Sequence, residues 1–137
     1  MESSVARDAT VQEDHRTVLV VEDDVLVRVM VAGALRDQGL SVIEASNADE
    51  ALSVLQSSVP ISLLLTDIQM PGTMDGLLLA AFVYGTSPTM KVILTSGTHP
   101  KCSLQAVAHA FFLKPYDLTA LVGRVKELLT DCDSDAN

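Results

Sequence analysis

The stretch Val18-Leu19-Val20-Val21-Glu22-Asp23-Asp24 is a short apolar run that stops on three acids. An apolar run without polar alternation reads as a strand covered on both faces. The pattern recurs along the chain. Ile61–Thr66 stops at Asp67, Lys91–Thr95 at Ser96, and Phe111–Leu113 at Lys114. With Leu40–Glu44 these make five expected strands. A parallel strand that ends in charge delivers that charge to one rim of its sheet, and ligands bind at that rim in open α/β sheets.

Amphipathic segments separate the strands. Ala48, Ala51, Leu52 and Leu55 follow helical spacing, with Asn47 and Glu50 placed as a capping box. Leu118, Leu121, Val122, Val125, Leu128 and Leu129 form an apolar stripe behind Asp117, a candidate N-cap. A first helix is expected over about Asp24 to Gln38, closed by Gly39 as its C′ residue. Another is expected over about Asp75 to Tyr84, ending at Gly85 and Pro88. From Thr98 to Ala110 the chain is short and begins with His99-Pro100, leaving room for two helical turns. Alternating strands and helices force parallel pairing with right-handed crossovers, hence a three-layer α/β domain.

Composition limits the function classes. The 137 residues are 48% hydrophobic and 20% charged, which suits one globular domain. A net charge of −9 argues against binding DNA or an anionic membrane. No apolar stretch approaches the roughly 20 residues that span a bilayer. Cys102 and Cys132 lack metal-ligand spacing and read as free thiols, so a cytoplasmic location is expected. His15, His99 and His109 share no ligand spacing, which argues against zinc. Residues 1–15 and 131–137 are polar and read as flexible tails around a domain over 16–130.

At the rim, Glu22, Asp23 and Asp24 after the first strand should meet Asp67 after the third. Clustered carboxylates repel and take up protons unless a cation compensates them. Mg2+, or Mn2+ in its place, suits such a hard oxygen set and leaves room for a phosphate. Lys114 adds a fixed positive charge, Ser96 a hydroxyl donor, and Gly97 a small residue where a ligand approaches. An aspartate attacking phosphorus beside a metal and a lysine is carboxylate nucleophilic chemistry.

These residues, in order, resemble the receiver domain of bacterial two-component response regulators from about Arg16 to Leu129. The motifs are Val-Leu-Val-Val-Glu22-Asp23, Thr66-Asp67-Ile-Gln-Met-Pro-Gly, Met74-Asp75-Gly76, Leu94-Thr95-Ser96-Gly97 and Phe111-Phe112-Leu113-Lys114-Pro115. The resemblance implies a flavodoxin-like (βα)5 fold, strand order 2-1-3-4-5, with a shortened fourth helix. It implies that Asp67 accepts a phosphoryl group from a histidine kinase or histidine phosphotransfer protein. Glu22, Asp23, Asp67 and the Gln69 backbone carbonyl would hold Mg2+, with Asp24 in an outer role. Ser96 would hydrogen-bond the phosphoryl group, Lys114 would bridge to it, and Phe111 would be the switch aromatic. Gln69 and Thr98, near the attacking water, would tune phosphate lifetime. Lys114-Pro115 would carry a cis peptide. Two features depart from the pattern: Pro71-Gly-Thr-Met-Asp75 is one residue longer than usual, and the segment of helix four is shorter.

The expected function is a single-domain response regulator that signals through protein contacts and is not an enzyme on an external substrate. The competing expectation is a phosphorylation-independent adaptor that keeps the fold. An independent phosphatase is disfavoured, because Asp67-Ile-Gln69 lacks a second acid two residues on.

Overall fold

A computed structural model describes residues 16–72, 74–100, 104 and 106–136, with side chains up to residue 130. The N-terminal segment with His15, Cys102 and the side chain of Cys132 lie outside the described residues. In chain order the elements are β1 (Thr17–Val21), α1 (Val25–Asp37), β2 (Ser41–Ala45), α2 (Ala48–Gln56) and β3 (Leu63–Asp67). Then follow α3 (Gly76–Thr86), β4 (Lys91–Ser96), β5 (Ala110–Leu113) and α4 (Leu118–Ala136). The five strands are all parallel and lie in the order β2-β1-β3-β4-β5, as expected.

The sheet explains why its strands show no polar alternation. Val18 and Val20 of β1 pack with Leu63, Leu65 and Ile93 against α1 and α4, through Val31, Leu35, Leu121 and Val125. Leu19 and Val21 point the other way, with Leu64 and Leu94, onto Ala51 of α2 and Leu79 and Val83 of α3. Both sets are buried, so the strands at the centre of the sheet read as apolar on both faces.

The helix starts follow short polar side chains. Asp24 accepts from Val27 N at 3.1 Å, Asn47 from Glu50 N at 2.8 Å, and Asp75 from Leu78 N at 3.0 Å. Each satisfies an otherwise orphaned amide at the first turn. Asp117 does the same at α4, accepting from Thr119 N at 2.9 Å. The expected capping box is displaced by one residue: Glu50 reaches Ser46 N at 2.7 Å. Gly39, at φ +86°, closes α1 where a side chain would be strained.

Two expectations need correction. Between β4 and β5 no helix occurs among the described residues, so four helices accompany five strands. The described residues of this segment form a turn, with Val107 N and Ala108 N both donating to Leu104 O at 3.1 and 2.9 Å. Leu104 is buried in the core cluster, with Val107 and Ala108 packed against it. His99 precedes Pro100, which disfavours helix there, and β5 pairing begins at once with His109 N donating to Val92 O at 2.8 Å. The second correction is at the C-terminus. α4 runs to Ala136, so the backbone is helical past Asp131, where the sequence read as a tail. No helix among the described residues is long and apolar enough to cross a membrane.

Candidate functional site

Parallel register brings the strand ends together. Val21 pairs with Thr66, Asp67 with Thr95, and Ser96 with Leu113. Glu22 therefore leaves β1 beside Asp67, the last residue of β3, and Lys114 leaves β5 beside Ser96. Glu22 and Asp67 are only 4% and 5% exposed, while Asp23 is open to solvent. One carboxylate oxygen from each of Glu22, Asp23 and Asp67 falls within 4.8 Å of the others.

Lys114 joins the two buried acids. Its Nζ donates to Glu22 Oε1 and to Asp67 Oδ2, both at 2.9 Å. Glu22 Oε2 accepts from Asp24 N at 3.1 Å, and the Glu22 carbonyl accepts from Arg28 Nη1 at 2.8 Å. Arg28 is itself tied to Glu44 at 3.3 Å. The acidic turn is thus clamped by neighbours on α1 and β2 that the sequence did not single out. Asp24, outside the acidic pair, serves α1 as its cap.

The ion pairs are unequal. Burial pushes the Glu22 carboxyl above its ordinary value, more than its hydrogen bonds to Lys114 and Asp24 lower it, and the Asp67 charge adds to the rise. Burial alone would lower Lys114. Its hydrogen bonds to Glu22 and Asp67, with their charges, outweigh that and push it up to about 12. One ammonium serves two carboxylates, so the cation gains from both while the acids remain under-neutralised. The folded state holds the Lys114 proton more tightly than the unfolded chain does. Its contribution is complete below 10.5 and is lost as pH climbs through about 12. Burial also raises Tyr116, which acts in the same direction. Urea unfolding at alkaline pH should therefore show a steeper loss for wild type than for Lys114→Met. Equal slopes would refute the assignment.

The donor set fits a divalent cation. Asp67 Oδ1 is buried with no hydrogen-bond partner, a costly state for a carboxylate oxygen. Lys114 offsets one of the three negative charges and leaves two, the charge of one such ion. An all-oxygen set selects a hard metal.

Ser96 and its neighbours form a separate hydrogen-bonded ring. Ser96, 1% exposed, donates through Oγ to Gln69 Oε1 at 2.9 Å. Gln69 Nε2 donates to Thr98 Oγ1 at 2.9 Å, and Thr98 N donates to Ser96 Oγ at 3.1 Å. The structure therefore brings Ser96, Gln69 and Thr98 together, but gives the Ser96 proton to Gln69 rather than to Asp67. Phe111 is half-buried against the core cluster that includes Leu94 and Leu104. The Lys114-Pro115 peptide is cis.

One positioning residue escaped the sequence assignment. Gly76 opens α3 and donates its N–H to Ile68 O at 2.9 Å. A methyl group there would overlap the Asp67 carbonyl oxygen and lie 2.8 Å from Asp67 C and 2.9 Å from Ile68 Cα. Only glycine lets α3 press against the end of β3. The visible signal was a poor helix former directly after a capping aspartate.

Comparison with known proteins gives a consistent result. Residues 18–126 match the family described as response regulator receiver domain. Sensor kinase CckA of Brucella abortus is 35% identical over 130 residues, covering 91% of this chain and 14% of CckA. Transcriptional regulatory protein AruR of Pseudomonas aeruginosa is 32% identical over 120 residues, covering 82% of this chain and 48% of AruR. The chain thus spans about half the length of AruR and a small part of CckA. A receiver domain protein from Methanospirillum hungatei superposes with a TM-score of 0.81 at 28% identity, covering 88% of this chain and 98% of that one. Response regulator protein TrrA of Thermotoga maritima, solved in complex with Mg(2+)-BeF, gives 0.74 at 28% identity, with coverages of 82% and 98%. Strand order, the acidic rim and the matched span agree: this chain belongs to the response regulator receiver domain family of two-component signalling.

Proposed function

We propose that this receiver domain accepts a phosphoryl group on Asp67 from a phosphohistidine of a histidine kinase or histidine phosphotransfer protein. The observation that carries the reading is Asp67 itself: buried, held on one oxygen by Lys114, and unpartnered on the other. Glu22, Asp23, Asp67 and the Gln69 backbone carbonyl would hold Mg2+ or Mn2+. That ion supplies charge neutralisation for the incoming phosphoryl oxygens. In the transfer, an Asp67 carboxylate oxygen forms the new O–P bond as the P–N bond of phosphohistidine breaks. The electron pair of that bond returns to the imidazole nitrogen. Lys114 stays beside the acceptor and screens the charge of the phosphoryl oxygens. Asp67 is modified rather than turned over, so the domain is a phosphoacceptor and not an enzyme on an external substrate.

Two relatives support the reading. TrrA was solved with Mg(2+)-BeF, and CckA is a sensor kinase. Exposed Val25, Leu26, Val29 and Met30 on α1 form an apolar surface beside Asp23, suited to a protein contact at the rim. Output through protein is also consistent with the net charge of −9, which disfavours direct contact with nucleic acid. On this proposal the domain works in the cytoplasm, alongside its phosphohistidine donor.

Incubation with acetyl phosphate and Mg2+, followed by intact-mass measurement, tests this. Wild type should gain one phosphoryl group, and chelation of the metal should prevent the gain. No gain with either Mg2+ or Mn2+ would overturn the proposal. The absence of a helix between β4 and β5 among the described residues favours a second reading, a phosphorylation-independent adaptor. Equal partner binding by wild type and Asp67→Ala would favour it.

A further inference from the structure

We infer that the Gln69 side chain is a latch on Ser96, setting how readily the domain passes to its phosphorylated conformation. The inference rests on the phosphoacceptor reading and concerns regulation of the same site. Two buried polar atoms at the rim are mismatched. Asp67 Oδ1 lacks any donor, while Ser96 directs its single hydroxyl proton to Gln69 Oε1 at 2.9 Å. A hydroxyl has one proton to give, so Ser96 cannot serve Gln69 and a phosphoryl oxygen together.

The latch is held from behind. Gln69 Nε2 donates to Thr98 Oγ1 at 2.9 Å, which turns the amide oxygen toward Ser96. The Thr98 N–H occupies a Ser96 lone pair at 3.1 Å and closes the ring. Gln69 is exposed, whereas Ser96 is 1% exposed. The ring therefore has one side chain free to swing out and one confined beside Asp67. When a phosphoryl group arrives, Ser96 exchanges the Gln69 oxygen for a phosphoryl oxygen, and Gln69 is released toward solvent, where water satisfies it. Gln69 is a positioning residue that acts through Ser96, and Thr98 supports it.

This predicts a sign that structural damage would not produce. Gln69→Met keeps length and the backbone carbonyl but removes the acceptor. It should tighten Mg2+-dependent beryllofluoride binding about three- to tenfold, the range for one exchanged neutral hydrogen bond. Thr98→Val should tighten it less, by about two- to threefold on the same basis. In a Ser96→Ala background the Gln69→Met gain should vanish, because the latch has nothing to hold. Binding is read by NMR titration of the wild-type and variant domains. If wild type itself shows no Mg2+-dependent beryllofluoride response, the phosphoacceptor reading fails. If wild type responds but Gln69→Met binds equally or more weakly, or its gain persists without Ser96, the latch is overturned and the phosphoacceptor reading stands.

Discussion

Asp67→Asn is expected to abolish Mg2+-dependent phosphoryl uptake and, at the same time, to make the metal-free domain more stable. The loss follows from chemistry: an amide lacks the charged oxygen that attacks phosphorus, so uptake should fall by about a hundredfold or more. The gain follows from burial. Asp67 is 5% exposed, sits beside the raised Glu22 carboxyl, and leaves Oδ1 unpartnered. A neutral amide of the same shape removes the repulsion on Glu22 and leaves Lys114 with an oxygen to donate to. Stability without metal should rise by about 1 kcal/mol, the usual size for one relieved functional-site conflict. Saturating Mg2+ should narrow the difference, since wild type binds the ion more tightly and gains more from it. Urea unfolding with and without Mg2+, alongside intact mass, measures both halves. A variant that still gains phosphoryl mass, or that is destabilised by several kcal/mol without metal, would contradict the site geometry.

Gly76→Ala should damage both stability and phosphorylation, although residue 76 carries no chemistry. The added methyl meets the backbone of Asp67 and Ile68, at the end of a central strand that cannot yield as a side-chain tip can. Either α3 moves off β3, weakening the Gly76 N–H bond to Ile68 O, or Asp67 moves. Overpacking together with a weakened hydrogen bond should cost about 2–4 kcal/mol. A shift of about 1 Å at Asp67 would also slow phosphoryl uptake by tenfold or more. The control is Gly33→Ala on α1, where an added Cβ meets nothing within 4 Å. There alanine should be neutral or stabilising by up to about 1 kcal/mol, through helix propensity. Equal effects of the two substitutions in urea unfolding would refute the packing role of Gly76.

The two substitutions mark what could be read from the chain. Asp67 was legible because a both-faces-buried strand is a run of apolar letters, and the letter that ends it is the residue at the rim. Glu22, Ser96 and Lys114 were legible for the same reason, as were the caps Asn47 and Asp117, whose partners lie three and two residues away. Gly76 was visible only as part of a motif, since its neighbour in space, Asp67, is nine residues back in another element. That no helix occurs between β4 and β5 among the described residues was half visible. The sequence showed a short segment and a proline, but not that Leu104 would drop into the core.

By itself the sequence determined five parallel strands, their apolar faces and the identity of the charges at their ends. Those properties are local: periodicity, capping and the length of an apolar run need no knowledge of distant residues. Only the tertiary structure decided how the charges are shared. Lys114 meets Glu22 across 92 positions of chain and Asp67 across 47, and it leaves Asp67 Oδ1 without a donor. It also decided that the Ser96 proton goes to Gln69. Hydrogen bonds are directional and a proton has one acceptor. Which oxygen stays unpartnered therefore depends on the three-dimensional placement of every donor at the rim.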